Sequence, residues 1–224
     1  MIDPMDINLP EFLTRWCGPP DVSVRQIPSD FAWIPHQLKE WYSLVYRWEK
    51  IRSTDNQVYK PRQIRVNQGK VEFAADPTGD WFWAFDVEDS NSVYEAELRG
   101  EWRLVPESLS EFLVHVTLRE AAGLANFGRT CSQVPDECLP RVLRGVEEIA
   151  FGGWGWPRSG HRMFMSESVI MDVGPAMDFK APRRNREGFF SVRVSGISSE
   201  TLGYLDEISP VKWLVYPDPE NYDS

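Results

Sequence analysis

The stretch from Gly69 to Ala122 constrains the fold most, because its pattern predicts three consecutive strands followed by a helix. At its centre, residues 81–87 are Trp-Phe-Trp-Ala-Phe-Asp-Val, and such aromatic and β-branched side chains pack well on a pleated sheet. Successive side chains of a strand point to opposite faces, and both faces of this segment begin with apolar residues. The segment is therefore predicted to be a central strand that is covered on both sides.

Further strands are predicted on either side of this central strand. Lys70–Ala75 precedes it across a turn that contains proline and glycine, and Val93–Leu98 follows it after a polar turn. Glu101–Val105 is predicted to be a short extended piece. The alternation in the second flanking strand predicts that Tyr94, Ala96 and Leu98 face inward and that Glu95 and Glu97 face outward.

A helix is predicted to begin after Ser108. Ser108 and Glu111 have the spacing of a capping box, in which each side chain accepts a hydrogen bond from an otherwise free amide. Gly123 is a plausible end of the helix. Val114 and Leu118 are apolar but lie away from the main stripe, so both sides of the helix are expected to be covered. The main apolar stripe follows helical spacing and comprises Leu109, Phe112, Leu113 and Val116.

The composition is that of a protein with a sizeable core and no membrane span. The chain has 224 residues, of which 42% are hydrophobic, and no apolar run approaches the roughly 18 residues that a spanning helix needs. The N-terminus is acidic and lacks the basic and apolar regions of a secretory signal. Three cysteines suit a reducing compartment, so a cytoplasmic location is predicted.

The remaining segments predict an α+β protein with mainly antiparallel sheet flanked by helices. Helices are expected at Pro10–Trp16 and from Pro35 to about Trp48. The polar residues near 126–136 mark the predicted boundary between two halves. The predicted organisation is an α+β core over residues 9–123, an α+β extension over residues 136–217 that packs on it and shares one core with it, and an acidic tail over residues 218–224.

The second half is predicted to contain short strands between two helices. A short helix is expected near Pro140 and a second one at Ser198–Ile208, where Leu202 and Leu205 have helical spacing. The predicted strands are His161–Met165, Ser168–Val173, Met177–Lys180, Phe189–Val194 and Val211–Tyr216.

No residue is predicted to be catalytic or to bind a metal or cofactor. The three histidines are far apart, and Cys131 and Cys138 do not have a common zinc spacing. The run Phe-Gly-Gly-Trp-Gly-Trp-Pro at residues 151–157 contains glycines but lacks the order and spacing of phosphate-binding loops. It is predicted to be a turn with aromatic anchors. A nucleophile elbow of the type Gly-x-Ser-x-Gly is absent from the sequence.

The charge indicates what kind of partner the chain could bind. The formal net charge is −10, which disfavours binding of nucleic acid and favours a basic partner. The alternative is that the charge serves only to keep the protein soluble. Asp86, Glu88 and Asp89 form a solvated turn, a docking point for a cationic partner, or an acid–base or cation site. Three arginines at residues 183–186 are predicted to be a solvated basic turn. The candidate partner-binding residues are Asp86, Glu88, Asp89, Glu95, Glu97, Trp154 and Trp156, the two tryptophans being candidates for exposed contacts.

The run from Pro35 to Glu120 resembles the SUKH superfamily, which includes a yeast cell-wall assembly regulator and many bacterial immunity proteins of polymorphic toxin systems. After the first helix the chain has Arg47–Ile51 where the family often has a short turn rich in glycine and asparagine. The resemblance implies an α+β fold and binding rather than chemistry, because the family shares no catalytic motif. It rests, in order, on the helix opened by Pro35 with Trp41, Tyr42 and Tyr46, on Gly69–Ala74, on Trp81–Asp86, on Val93-Tyr94, on Trp102 and on Ser108–Leu113.

The resulting expectation is a cytoplasmic, non-enzymatic binding protein that neutralises a cognate toxin domain, with a basic toxin domain as a candidate partner. A general interaction or regulatory scaffold is the first alternative, and a carboxylate- or metal-dependent hydrolase built near Asp86 is the second. Neither a nucleic acid nor a membrane is expected as a partner. The oligomeric state is left open by the sequence.

Overall fold

A computed structural model describes residues 1–23, 31–52, 58–67 and 69–216 as an α+β protein with two antiparallel sheets, as predicted. The chain divides into two compact units. The N-terminal unit comprises Pro4–Ala121 together with the loop Phe151–Trp156. The C-terminal unit comprises Met1–Asp3, Ala122–Ala150 and Pro157–Ser224. The break at residues 121–122 lies two residues before the end of the predicted core at residue 123 and ahead of the polar segment near residues 126–136. The predicted tail, residues 218–224, lies outside the described residues.

The division differs from the predicted one in a second respect. A loop from the second half of the chain, Phe151–Trp156, belongs to the N-terminal unit, whereas the prediction divided the chain into two consecutive segments. The expectation that the two halves share one core stays a prediction. No helix in the described part of the chain combines the length and apolar character that a membrane crossing requires.

The N-terminal unit begins with short helices whose apolar faces are buried. The second of them confirms the predicted periodicity, because Leu38, Trp41, Tyr42 and Val45 are all buried at helical spacing. Its first turn follows Pro35, and proline is tolerated there because the backbone N–H that it lacks would have no partner within the helix. The helices are α1 (Leu9–Cys17), α2 (His36–Val45) and α3 (Glu49–Arg52).

The first sheet is an antiparallel meander in which neighbouring strands follow one another in the chain. The predicted central strand lies in the middle of the sheet, and Trp83, Ala84 and Phe85 are buried, so the strand has buried residues on both of its faces at the centre. The order along the sheet is β1 (Arg65–Asn67), β2 (Lys70–Ala75), β3 (Trp81–Asp86), β4 (Ser92–Glu97) and β5 (Arg103–Ser108).

The predicted facing of the strand after the centre is wrong. Glu95 is buried and pairs with the buried Trp83, so it lies on the same face of the sheet as Trp83. Tyr94 and Ala96, predicted to face inward with Leu98, lie on the opposite face, and Leu98 is exposed. Leu98 lies beyond the end of β4, where its amide donates to the Asp80 carbonyl.

The helix α4 (Leu109–Gly123) packs its aromatic side chain Phe112 on one face of the first sheet. The predicted capping box is confirmed: the Ser108 amide donates to the Glu111 carboxylate (2.6 Å), and the Glu111 amide donates to the Ser108 hydroxyl (3.3 Å). Phe112 lies 5.3 Å from Phe73 and 5.8 Å from Trp83, measured between ring centroids. The predicted stripe is buried, and so are the off-stripe positions Val114 and Leu118.

The C-terminal unit contains the second antiparallel sheet, in which the order along the sheet departs from the order along the chain. The segment Phe127–Pro135, whose polar residues were predicted to mark the boundary between the halves, forms a long strand. It pairs with β10 on one edge and with β11 on the other. The order is β11 (Leu214–Tyr216), β6 (Phe127–Pro135), β10 (Ala181–Gly196), β9 (Val169–Asp178), β8 (Arg162–Met165) and β7 (Glu147–Glu148).

One face of the second sheet forms its own hydrophobic core. The predicted helix near Pro140 is the short α5 (Leu139–Val142), and the helix predicted at Ser198–Ile208 is a single 3₁₀ segment, Glu200–Leu205. Both place apolar side chains on the sheet. The core residues contributed by the strands and these helices include Val134, Leu139, Val142, Phe164, Met171, Val173, Val192, Val194, Leu202 and Leu205.

Candidate functional site

The glycine–aromatic loop Phe151–Trp156 contributes Trp154 to the core of the N-terminal unit. The Trp154 ring lies 4.8 Å from Phe112 and 5.3 Å from Trp83, and the residue is only 5% exposed. The expectation that Trp154 is an exposed contact is therefore wrong, because an indole of this size is buried where aromatic partners surround it. Trp156 is half-buried and lies edge-on to Trp83 at 5.9 Å, with the Arg119 guanidinium over its ring.

The glycines of this loop allow its backbone to approach the first sheet closely. A Cβ atom at Gly152 would lie 1.9 Å from the carbonyl oxygen of Pro106. At Gly155 a Cβ would lie 2.5 Å from a carboxylate oxygen of Glu95. The glycine pattern that could suggest a phosphate-binding loop is thus explained by close packing of the backbone against strands β4 and β5.

Glu107 is a buried acceptor that holds this loop. Its carboxylate accepts hydrogen bonds from the Gly153 amide (2.9 Å) and the Trp154 indole (2.8 Å), and it lies 3.0 Å from Nδ1 of His115. Phe151 and Trp154 pack on the His115 ring at 4.1 and 3.9 Å. Burial by itself would raise the pKa of the Glu107 carboxyl, but the His115 charge and the donated hydrogen bonds lower it below its ordinary value.

Sequence reasoning missed the pairing of Glu107 with His115. The extended piece was predicted to end at Val105, three residues before the end of β5, and the three histidines were noted as lying far apart in the sequence. The signal in the sequence is the alternation of β5, because Val105 and Glu107 share one face of the strand and both are buried. The loop that Glu107 binds has no local signal in the sequence, because the Gly153 amide lies 46 residues further along the chain.

Glu95 lies close to Glu107, but its pKa is shifted in the opposite direction. The Gly155 amide donates to both of its carboxylate oxygens at 2.9 Å. Burial is the dominant effect and raises the pKa of Glu95, and the nearby Glu107 carboxylate raises it further, whereas the Gly155 amide and Arg103 oppose the shift. Glu95 therefore anchors the loop rather than contributing to an exposed acidic surface.

Glu95→Gln is expected to leave the free energy of unfolding unchanged or to raise it by about 1 kcal/mol at pH 7. Because burial raises the folded-state pKa of Glu95 above the unfolded value, the protonated carboxyl contributes stability that is fully present below the unfolded pKa and is lost as pH rises through the folded pKa. The gain from glutamine should therefore be present at pH 7 and vanish near about pH 4. Urea unfolding at both pH values, with the exposed Glu97→Gln as control, measures this.

The remaining predicted acidic residues lie at opposite ends of the strands β3 and β4. Asp86, Glu88 and Asp89 lie at the turn that joins these strands, whereas Glu97 pairs with Trp81 at their other end. Asp86 is paired with Lys70, which is the main reason that its pKa is lowered. Asp89 accepts from the amide of Asn91 within its own turn (3.3 Å). Glu88, Asp89 and Glu97 are exposed, so they form two separate acidic positions rather than one patch.

The face of the first sheet opposite α4, here called the outer face, presents aromatic rings under cationic side chains. Paired residues cross all five strands of this face in a single row. The Arg65 guanidinium lies 6.0 Å from the Phe82 ring, and the Lys70 ammonium lies 3.7 Å from the Tyr94 ring. The row comprises Leu104, Tyr94, Ala84, Glu72 and Arg65, and the outer face also includes Lys70, Phe82 and Asp86.

Two residues at the ends of this row remain accessible. Leu104 is 63% exposed on the edge strand β5, and the Arg65 side chain is 60% exposed on the opposite edge strand β1. Glu72 is buried beneath Arg65 and accepts hydrogen bonds from Arg65 and Asn67. The outer face is therefore an ordered surface of apolar, aromatic and paired charged side chains, which suits contact with another protein.

His161 and Asp172 form a second polar pair, in the C-terminal unit. Nδ1 of His161 lies 2.6 Å from the Asp172 carboxylate, and both side chains are half-buried. The imidazole lies over Gly174, where a Cβ would come 2.3 Å from Nε2. The pair therefore joins β9 to the segment before β8, and the glycine is required by the position of the ring.

Within residues 1–23, 31–52, 58–67 and 69–216, no three histidine, cysteine or acidic side chains lie close enough together to hold a metal ion. The outer face and the exposed acidic positions beside it are thus the candidate functional site, with the anchored loop as part of the unit that carries them. Comparison of the chain with protein-family models, curated proteins and solved structures found no match.

Proposed function

We propose that this chain is a cytoplasmic, non-enzymatic binding protein of the immunity type, which neutralises a toxin domain by covering it with the outer face of the N-terminal unit. The outer face is the observation that carries the proposal. The resemblance of residues 35–120 to the SUKH superfamily supports the same class of function. Cys17, Cys131 and Cys138 are free thiols, which agrees with a reducing compartment.

The composition of the outer face supports binding of a protein partner. Tyrosine and arginine are enriched among the residues that contribute most to protein interfaces, and Tyr94 and Arg65 are already held by their neighbours. Side chains that are ordered before binding lose less conformational entropy when they bind. Leu104 adds an exposed apolar contact that would gain by being covered.

The exposed acidic residues beside this face support a basic partner. Glu88 lies in the turn at one end of strands β3 and β4, and Glu97 is the last residue of β4 at the other end, on the side of Glu95. Both therefore lie at the margin of the sheet and not at the centre of the outer face. Charges at the border of an interface mainly accelerate association and are screened by salt. We therefore assign the apolar and aromatic centre to affinity and the acidic border to the rate of encounter.

Co-expression with the C-terminal domain of a large protein encoded beside this gene tests the proposal. Toxicity of that domain alone, rescue by this chain and a co-purifying pair are the expected results. Leu104→Arg should weaken the complex by roughly tenfold or more, because it places a charge in the contact. Leu214→Arg, an equally exposed leucine on the edge strand of the C-terminal unit, is the matched control and should bind normally.

A second pair of variants separates the acidic border from the centre. Glu88→Arg with Glu97→Arg should slow association, and the difference from the unmodified chain should shrink as ionic strength rises. Glu137→Arg with Glu207→Arg makes the same change in net charge at exposed positions of the C-terminal unit and should have little effect. A toxic neighbour that this chain neither binds nor rescues would contradict the immunity function and favour a scaffold with other partners.

A further inference from the structure

The hairpin formed by β9 and β10 carries a cationic arm, here defined as residues 177–188. Strand β10 is 16 residues long, but it pairs with β6 only from Phe189 onward. Before Phe190 it meets β9 at just two positions, Ala181 with Asp178 and Asn185 with Met177, and the register shifts between them. The arm therefore extends past the part of the sheet in which β10 has strands on both sides.

The arm is exposed and basic, in a chain whose overall charge is −10. Every residue from Pro182 to Gly188 is exposed. The arm contains one lysine and three arginines against two carboxylates, and Asp178 turns the chain by accepting a hydrogen bond from the Lys180 amide (2.9 Å). The cationic residues are Lys180, Arg183, Arg184 and Arg186, and the second carboxylate is Glu187.

Side chains next to the arm hold its backbone in place. The Arg158 guanidinium donates to the carbonyl oxygens of Pro182 (2.6 Å) and Arg184 (3.3 Å) and to the Asn185 side chain (2.9 Å). The Arg186 guanidinium lies 3.9 Å from the Phe189 ring centroid and donates to the Gln133 side chain. The arginines are thus presented by an ordered hairpin, which reduces the entropy lost when a partner binds.

Exposed apolar side chains lie within the same arm. Phe179 is 63% exposed at the turn of the hairpin, and Met177, two residues earlier on β9, is 40% exposed. A partner that matches this surface must therefore offer both negative charge for the arginines and an apolar group for Phe179. Planar guanidinium groups pair well with carboxylates, which supply the charge in a protein segment.

We propose that the arm binds a short acidic segment of a protein partner that carries an aromatic or apolar residue among its carboxylates. A long nucleic acid fits less well, because duplex DNA carries one charge per roughly 1.7 Å and would extend from the arm along a chain of net charge −10. A short segment contacts the arm alone. This surface differs in unit and in charge from the outer face, so the inference does not depend on the proposed function.

Fluorescence anisotropy with the full-length chain and a labelled synthetic peptide of glutamate with two phenylalanines tests the inference. Arg183→Glu with Arg184→Glu should weaken binding by roughly tenfold or more, because attraction becomes repulsion. Lys60→Glu with Arg62→Glu makes the same change in charge at exposed residues of the N-terminal unit and should leave affinity within about twofold. All four positions are exposed, so thermal melting should show that every variant folds.

The apolar half of the inference has its own test. Phe179→Ser should weaken binding of the phenylalanine peptide by about threefold, which corresponds to the usual contribution of an aromatic pair. A peptide with alanine in place of phenylalanine should bind the unmodified chain more weakly and should not respond to Phe179→Ser. Equal effects of Phe179→Ser on both peptides would overturn the aromatic contact.

Three further results would overturn the inference. The first is the absence of peptide binding at low ionic strength. The second is an equal loss of affinity in the Lys60/Arg62 variant, which would assign binding to net charge alone. The third is tighter binding of a labelled DNA duplex or single strand than of the peptide, which would assign the arm to nucleic acid.

Discussion

Glu107→Ala is expected to lower the free energy of unfolding by about 3–5 kcal/mol, the range found when one partner of a buried charged pair is removed. The Glu107 side chain is fully buried, and its removal would leave the Gly153 amide, the Trp154 indole and the His115 imidazole without this acceptor. Trp154 and His115 are each only 5% exposed, so water cannot readily replace the lost acceptor at these two groups. The loss therefore exceeds that of a single exposed hydrogen bond.

Urea unfolding followed by tryptophan fluorescence measures this loss. Amide hydrogen exchange should at the same time show weaker protection of Gly153 and Gly155, because the loop has lost an anchor. Glu101→Ala, at an exposed position shortly before β5, should change the free energy of unfolding by no more than about 0.5 kcal/mol. A Glu107→Ala protein as stable as this control would refute the anchoring role.

The pH dependence of Glu107 follows from its lowered pKa. Since the folded-state pKa is below the unfolded value, the ionised carboxyl contributes stability above about pH 4.3, and this contribution is lost as pH falls through the folded pKa. The difference in stability between the unmodified chain and Glu107→Gln should therefore shrink on acidification. For Glu95, whose pKa is raised, replacement by glutamine should instead increase stability at pH 7, and this increase should shrink on acidification.

Phe112→Ala is expected to lower the free energy of unfolding by about 3–5 kcal/mol as well, for a different reason. The Phe112 ring is fully buried and contacts Phe73, Trp83 and Trp154. Its removal loses the burial of the ring and leaves a cavity between helix α4, the sheet and the loop. Because protein interiors are close-packed, the surrounding side chains can fill the cavity only in part.

Two variants make the measurement specific to the cavity. Phe112→Leu keeps much of the volume and should lose less than about 1.5 kcal/mol. Phe179→Ala removes an equally large ring from an exposed position and should have a small effect. Equal losses for Phe112→Ala and Phe179→Ala in urea unfolding would contradict the assignment of Phe112 to the core.

Local pattern was sufficient to predict the elements of the first sheet and the helix after it. The strands β2 and β3, the capping box of Ser108 and Glu111, and the buried face of α2 were all predicted from periodicity and turn chemistry. These features depend on residues within a few positions of one another. Side-chain spacing and hydrogen bonds to the nearest amides are therefore enough to specify them.

The second sheet was predicted less well, because its strands are specified by distant partners. The segment Phe127–Pro135 is rich in polar residues and resembles a loop, yet it lies between β10 and β11 and forms hydrogen bonds with both. Backbone hydrogen bonding of this kind needs no particular side chain. The basic turn at residues 183–186 likewise belongs to an ordered hairpin, since Arg158 holds it from a separate segment.

The sequence by itself determined the α+β class, the strands β2 to β4 of the first sheet, the helix that follows them and the acidic balance of charge. Only the tertiary structure decided which charged residues are buried. Glu95 and Glu97 occupy neighbouring places in the same alternating strand, but the loop Phe151–Trp156 approaches one and not the other. Burial of a carboxylate requires donors that arrive from elsewhere in the chain, and here they are the amides and indole of a loop 46 to 60 residues away.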